Sequence, residues 1–189
     1  DTQGQTPAGT TVRDIDIRLS GKQGEAREVL ASFTPILIGT ENCLLGVALD
    51  VTSRRRTEAE MRKLSRALEQ TADTVMITDR DGIIEYVNPA FERITGHTAI
   101  EVLGQRPNLL HSGKQGPEFY RAMWECILKG EVFSEVFINR NRSGEIYYEQ
   151  KTITPLRDNT GEITHFVATA RDISERIEFE EQLRYLAEH

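Results

Sequence analysis

The chain repeats itself. Gly24-Glu25 and Thr34-Pro35 recur as Gly144-Glu145 and Thr154-Pro155, each pair 120 positions further on. Leu49-Asp50-Val51-Thr52 recurs as Arg171-Asp172-Ile173-Ser174, after a two-residue difference in an intervening turn. A spacing shared across two turns and a helix junction means that one supersecondary arrangement must serve both stretches. The expectation is that residues 1–52 are the back half of one domain and that a complete copy follows, with each copy running into a charged helix.

The periodicity within each copy fills in the elements. Asp1 to Thr10 are polar with Gly and Pro and read as a loose end. Ile15, Ile17 and Leu19 alternate with polar residues, and Val29–Ile38 and Leu44–Val51 follow. With turns at Ser20–Gly24 and Gly39–Asn42 this is a three-stranded antiparallel meander. Residues 53–72 change period: Met61, Leu64 and Leu68 fall at helical spacing among Arg, Lys and Glu, a single stripe suited to a partner helix or the domain's own sheet. Residues 73–171 form the complete unit. Val75–Thr78 and Ile83–Val87 flank an Asp-Arg-Asp-Gly hairpin turn. Asn88-Pro89 caps and opens a helix closed by Gly96, Ala99–Leu103 makes another turn, and Glu118–Lys129 is a longer helix stopped by Gly130. Phe133–Arg140, Glu145–Thr154 and Thr164–Arg171 are strands. Residues 172–189 return to helix, with capping-box spacing in Asp172-Ile173-Ser174-Glu175.

Composition narrows the function class. Hydrophobic residues are 38% and charged residues 28%, a balance that supports a packed core, and the net charge is −7. Nucleic-acid binding calls for a basic stripe, and Arg54-Arg55-Arg56 reads as a solvated helix start, so neither nucleic acid nor membrane is expected as a partner. No apolar run approaches the roughly 18 residues of a membrane span, and no leader pattern opens the chain. Cys43 and Cys126 match no disulfide or zinc framework and read as buried free thiols of a cytoplasmic protein. Asp79 and Asp81 belong to a turn, and no phosphate loop or nucleophile elbow is present, so the fragment is expected not to be an enzyme.

The motifs together resemble those of the PAS family. Thr78-Asp79, Asp81-Gly82, Tyr86-Val87-Asn88-Pro89-Ala90-Phe91, Thr95-Gly96 and Glu101-Val102-Leu103-Gly104 resemble its front half. Asn139-Arg140, Ser143-Gly144, Thr154-Pro155-Leu156, Gly161 and Asp172-Ile173-Ser174 resemble its back half. The resemblance covers residues 70–175, and 11–52 match the back half alone. It implies an α+β fold: a five-stranded antiparallel sheet in the order 2-1-5-4-3 with helices on one face, plus flanking amphipathic helices. It also implies a signal-transduction role, in which Asp172, Ile173 and Ser174, and Asp50 in the first copy, relay the domain's state to the next helix. Dimerisation through PAS faces and flanking helices is expected, with a C-terminal output domain. Leu183–His189 resembles the segment preceding a GGDEF diguanylate cyclase, the enzyme of cyclic di-GMP signalling; a histidine kinase is the other output considered.

The stretch Asn108–Gly113, Phe119-Tyr120, Met123-Trp124 and Asn139-Arg140 resembles the FAD-binding PAS domains of redox regulators of nitrogen fixation and methane oxidation. That resemblance implies that Trp124 packs near the isoalloxazine ring and Asn139 bonds its polar edge, with Asn108 and Glu149 as further candidates. Pro107 and Met76 depart from it, and core packing for Trp124 with a sheet-edge place for Asn139 is the competing reading. A light-driven cysteine adduct is not expected, because Leu109 follows Asn108, and Glu149 and Ala170 replace the amides of the light-sensing subfamily. Haem is not expected either: His111 lies in a loop, where a solvated or capping role is the simpler reading. An empty-pocket dimerisation scaffold is the alternative from another class.

Overall fold

In the computed structural model, residues 10–21 and 25–188 are described; the expected loose end and the tip of the first turn lie outside them. The chain divides into two compact units between Leu64 and Ser65.

The first unit is an antiparallel sheet in the order β1-β2-β3, built from β1 (Val12–Ser20), β2 (Ala26–Ile38) and β3 (Glu41–Asp50). The turn between β2 and β3 is tighter than the expected four residues. Only Gly39 and Thr40 lie outside the ladder, and Gly39 takes the left-handed φ of 64° that such a turn needs. Cys43 is half-buried, not fully buried as expected, because this strand is exposed along most of its length. β3 runs into α1 (Thr52–Gln70), which continues into the second unit.

The second unit contains β4 (Thr74–Asp79), β5 (Ile84–Val87), α2 (Pro89–Thr95), α3 (Ala99–Val102), a 3-10 turn (Pro107–Leu110), α4 (Pro117–Leu128), β6 (Phe133–Arg140), β7 (Ile146–Arg157), β8 (Ile163–Asp172) and α5 (Ser174–Glu188). The sheet order β5-β4-β8-β7-β6 is 2-1-5-4-3 counted within the unit, all antiparallel. Met76, Ile84, Phe91, Ile127, Phe137 and Phe166 belong to one buried cluster between sheet and helices. Cys126 is half-buried at the edge of α4, again short of full burial. No helix among the described residues is long and apolar enough to cross a membrane.

Two features organise this unit. The first is Asn88, which is fully buried. Its Oδ1 accepts from the N–H groups of Val75 (2.9 Å) and Phe91 (3.1 Å), and its Nδ2 donates to the carbonyls of Leu68 (3.1 Å) and Asp73 (3.0 Å). An amide has two donors and two acceptor sites, so all four are satisfied. One side chain thereby fixes the end of α1, the start of β4 and the N-terminus of α2.

The second is the repeated helix junction. Ser174 N–H donates to Asp172 Oδ1 (2.9 Å), Tyr148 N–H donates to Ser174 Oγ (3.0 Å), and Ile173 N–H donates to the Tyr148 carbonyl (2.9 Å). In the first unit Thr52 N–H donates to Asp50 Oδ1 (3.0 Å), Glu28 N–H to Thr52 Oγ1 (2.8 Å), and Val51 N–H to the Glu28 carbonyl (2.9 Å). Tyr148 stands 120 positions after Glu28, so the sequence repeat is also a repeat of hydrogen bonds.

Asn88→Ala removes the side-chain partner of the Val75 N–H and of the Leu68 and Asp73 carbonyls, while the Phe91 N–H keeps its 3.0 Å bond to the carbonyl of residue 88. Each unsatisfied buried group costs about 1–3 kcal/mol, and some water will enter, so a loss of roughly 3 kcal/mol or more is expected. Urea denaturation checks it; a loss under about 1 kcal/mol would contradict the hub role.

Candidate functional site

The pleat of the second sheet decides which side chains meet the helices. Successive residues of a strand face opposite ways, and in β7 Tyr147, Glu149, Lys151 and Ile153 all point inward and are buried. Across the ladder they oppose Asn139, Phe137, Glu135 and Phe133 of β6. On β8 the facing positions are Ala170, Ala168 and Phe166. Ala168 leaves room that a larger residue would fill, and a cavity of about 210 Å³ opens beside it. Sheet residues Met76, Ile153, Phe166 and Ala168 form one wall and Tyr120, Met123, Trp124 and Ile127 of α4 the other. Arg106, Pro107, Asn108 and His111 line it from the 3-10 segment.

Most of this lining is apolar, with one polar cluster at its β6–β7 side. Asn139 Nδ2 donates to Glu149 Oε2 at 2.8 Å, and Lys151 Nζ sits 2.8 Å from the same oxygen. The Glu149 and Lys151 side chains are 2% and 9% exposed. Lys151 Nζ also lies 4.7 Å from the centre of the Phe137 ring, a cation–π contact. Tyr147 Oη is buried beside Asn139 without a well-formed hydrogen bond. Burial, with the Glu149 carboxylate nearby, pushes the phenol far above its ordinary value, so it stays protonated.

The expected site residues separate into three groups. Trp124, Asn139 and Asn108 line the cavity. Trp124 is half-buried, edge-on to Phe166 at 5.8 Å, and Asn108 is exposed. Asn139 does stand on an edge strand, β6, as the competing reading had it, yet it is 2% exposed and faces in. Glu149, expected to contact a cofactor, is not on the cavity wall. It lies behind it and holds Asn139 and Lys151. Asp172, Ile173 and Ser174 are away from the cavity, at the start of α5, but Asp172 is in register with Glu149. Asp50 holds the equivalent place before α1, and its bonds to Thr52 keep its carboxyl below the usual range.

Lys151 was missed by sequence reading. The signal was there: in a strand, positions 149 and 151 share a face, so an inward Glu149 obliges an inward Lys151. His111 is not merely solvated. Its ring stacks on Tyr120 at 4.1 Å and 22°, and its backbone bridges to Asn139. Desolvation, aided by the Lys151 charge, lowers its pKa. Among the described residues no group of His, Cys, Asp and Glu could hold a metal ion.

A family model described as PAS fold matches residues 62–173. The chain is 37% identical over 117 residues to the nitrogen fixation regulatory protein of Klebsiella pneumoniae, covering 62% of this chain and 24% of that protein. It therefore spans about a quarter of the length of that relative. Among solved structures it resembles the LOV domain of a blue-light activated histidine kinase from Erythrobacter litoralis, at 26% identity and a TM-score of 0.52, over 56% of this chain and 99% of that one. An RNA-binding light-oxygen-voltage receptor shares the fold over 95% of this chain and 81% of its own, at 19% identity and a TM-score of 0.59.

Two measurements probe the site. A Cβ at Gly82, where φ is 80°, would stand 2.8 Å from Trp124 Cη2. Gly82→Ala is expected to displace the chain's single tryptophan and shift its fluorescence to longer wavelength; unchanged emission would contradict the contact. A depressed histidine pKa means that the unfolded chain binds the proton more readily. The contribution of His111 is then complete above about pH 6.5 and declines as pH falls towards the lower folded-state value. His111→Asn is expected to flatten that part of the stability–pH curve.

Proposed function

The chain belongs to the PAS-fold family, and from that premise we propose that it is a cytoplasmic sensory module that binds a flavin, FAD by resemblance, and relays its state to an output domain after α5. The observation that carries this reading is the junction of an apolar cavity with one fixed polar cluster, set in the strand that also anchors α5. A flat ring system suits such a site, apolar along its faces and hydrogen-bonded at one edge. The residues present fit: Trp124 and Phe166 offer aromatic surface, and Ala168 leaves space. Asn139 offers an amide whose orientation is set by its bond to Glu149. A bound flavin supplies reversible electron acceptance.

The chain's own residues supply the coupling. A change in the hydrogen bonds of Asn139 or Lys151 alters the load on Glu149. Glu149 opposes Asp172 across the ladder, and its neighbour Tyr148 holds both Ser174 and Ile173. A ligand state that favours one arrangement of these bonds shifts the population of α5 orientations by that free-energy difference. Support for a signalling role comes from the names of the relatives, a nitrogen fixation regulator and a blue-light activated kinase. The latter favours a histidine kinase output, and the sequence of Leu183–His189 favours a GGDEF cyclase. Residues 1–52 fit the back half of a preceding PAS domain, since the described strands within them, β1 to β3, repeat much of the ladder register and the junction. Met61, Leu64 and Leu68, exposed along α1, suit a homodimer, and a colourless dimer with an empty pocket is the competing scaffold reading.

Purified protein reconstituted with FAD is expected to show the flavin absorbance band in the blue; a colourless product would sink the flavin reading. In the longer protein, Asp172→Ala is expected to weaken the cap by about 1 kcal/mol and to uncouple output from ligand state. An unchanged response would overturn the relay.

A further inference from the structure

We infer that Lys151 makes the cavity selective for a planar aromatic ligand carrying negative charge on the edge that faces β7. The inference rests on reading this cavity as the ligand site, and not on the ligand being a flavin.

The ammonium is poised for it. It carries three N–H donors. One meets Glu149, the Phe137 ring covers a second side, and among the described residues no other hydrogen-bond partner is found for it. Lys151 lines the cavity and Glu149 does not, so the pair presents its positive end to whatever enters. The other charged lining residue is Arg106, and no carboxylate is among the lining residues described. In a site shielded from water, an ionic hydrogen bond to this nitrogen is worth more than it would be on the surface.

The chain contains its own control for the alternative, that the pair exists to hold the sheet together. The two meanders have the same register around the positions in question, and differ at a bulge between Val12 and Ile15 and beside the last turn. Arg18 opposes Glu28 as Ile138 opposes Tyr148, and Val29 opposes Asp50 as Glu149 opposes Asp172. The positions equivalent to Asn139, Glu149 and Lys151 are therefore Leu19, Val29 and Ala31, all apolar. The same ladder and the same helix junction form without a buried charge. Since a buried ion pair is often no more stabilising than apolar residues in its place, the cluster at 139, 149 and 151 is retained for something other than the fold. Recognition of a ligand is the use its position allows.

The test uses a matched pair of probes, 2-naphthoate and 2-naphthamide, titrated calorimetrically into the full chain. The wild type is expected to bind the anion about ten- to a hundredfold more tightly, the range of a hydrogen bond to a charged group. Lys151→Met should abolish the preference and Lys151→Arg should keep it. Because Lys151→Met leaves Glu149 buried without its cation, the double variant K151M/E149Q, which removes both charges, provides the same comparison in a neutral site. Equal affinities in the wild type, no binding of either probe, or a preference that survives in K151M or the double variant overturns the inference. A protein that takes up no flavin yet prefers naphthoate supports it while ending the flavin reading. A yellow protein with no preference does the reverse.

Discussion

The second unit depends on one buried amide. Four backbone groups from three segments converge on the Asn88 side chain, the Phe91 N–H being shared with the Asn88 carbonyl. Apolar packing alone is non-directional and would allow the end of α1 to slide over the sheet. The amide fixes it to within a hydrogen bond's tolerance. With β4 and α2 set, Met76 and Phe91 meet in the core, and Asp73 is placed to form its two-bond ion pair with Arg171 of β8. The entry and exit of the unit are thus joined near the same point on the sheet.

Much of this could be read from the residues. Asn88-Pro89 was legible as a cap because both residues have strong local preferences there, and the structure makes that cap. The strands were legible from their turns, and β6 has the expected bounds. What escaped was set by packing at a distance. The 3-10 turn at Pro107–Leu110 carries no periodic signal, and β7 runs past Pro155 to Arg157 although proline usually interrupts a strand. In the site, Trp124 and Asn139 were found by resemblance. Glu149 was assigned to the right strand face but the wrong layer, because sequence gives a residue's side of a strand and not which neighbour stands between it and a cavity. Lys151 escaped because a lysine in an alternating strand is ordinarily read as facing water.

The two copies of the meander separate what a fold requires from what a site requires. Their common features are the ladder register and the Asp-x-Ser/Thr junction, which involve backbone and short polar side chains. Where the second copy carries Asn139, Glu149 and Lys151, the first has the apolar Leu19, Val29 and Ala31. Apolar residues at these positions are the cheaper solution for burial, and the second copy departs from it at all three.

The junction at Ser174 also has a mechanical consequence. The first turn of α5 is fastened by Tyr148 of β7, in addition to its covalent continuation from β8. A torque on that helix is therefore borne by two neighbouring strands at once, as shear across the ladder between them. The leverage runs both ways: bending the helix from outside must strain the backbone on either side of Glu149, the residue that holds Asn139 and Lys151.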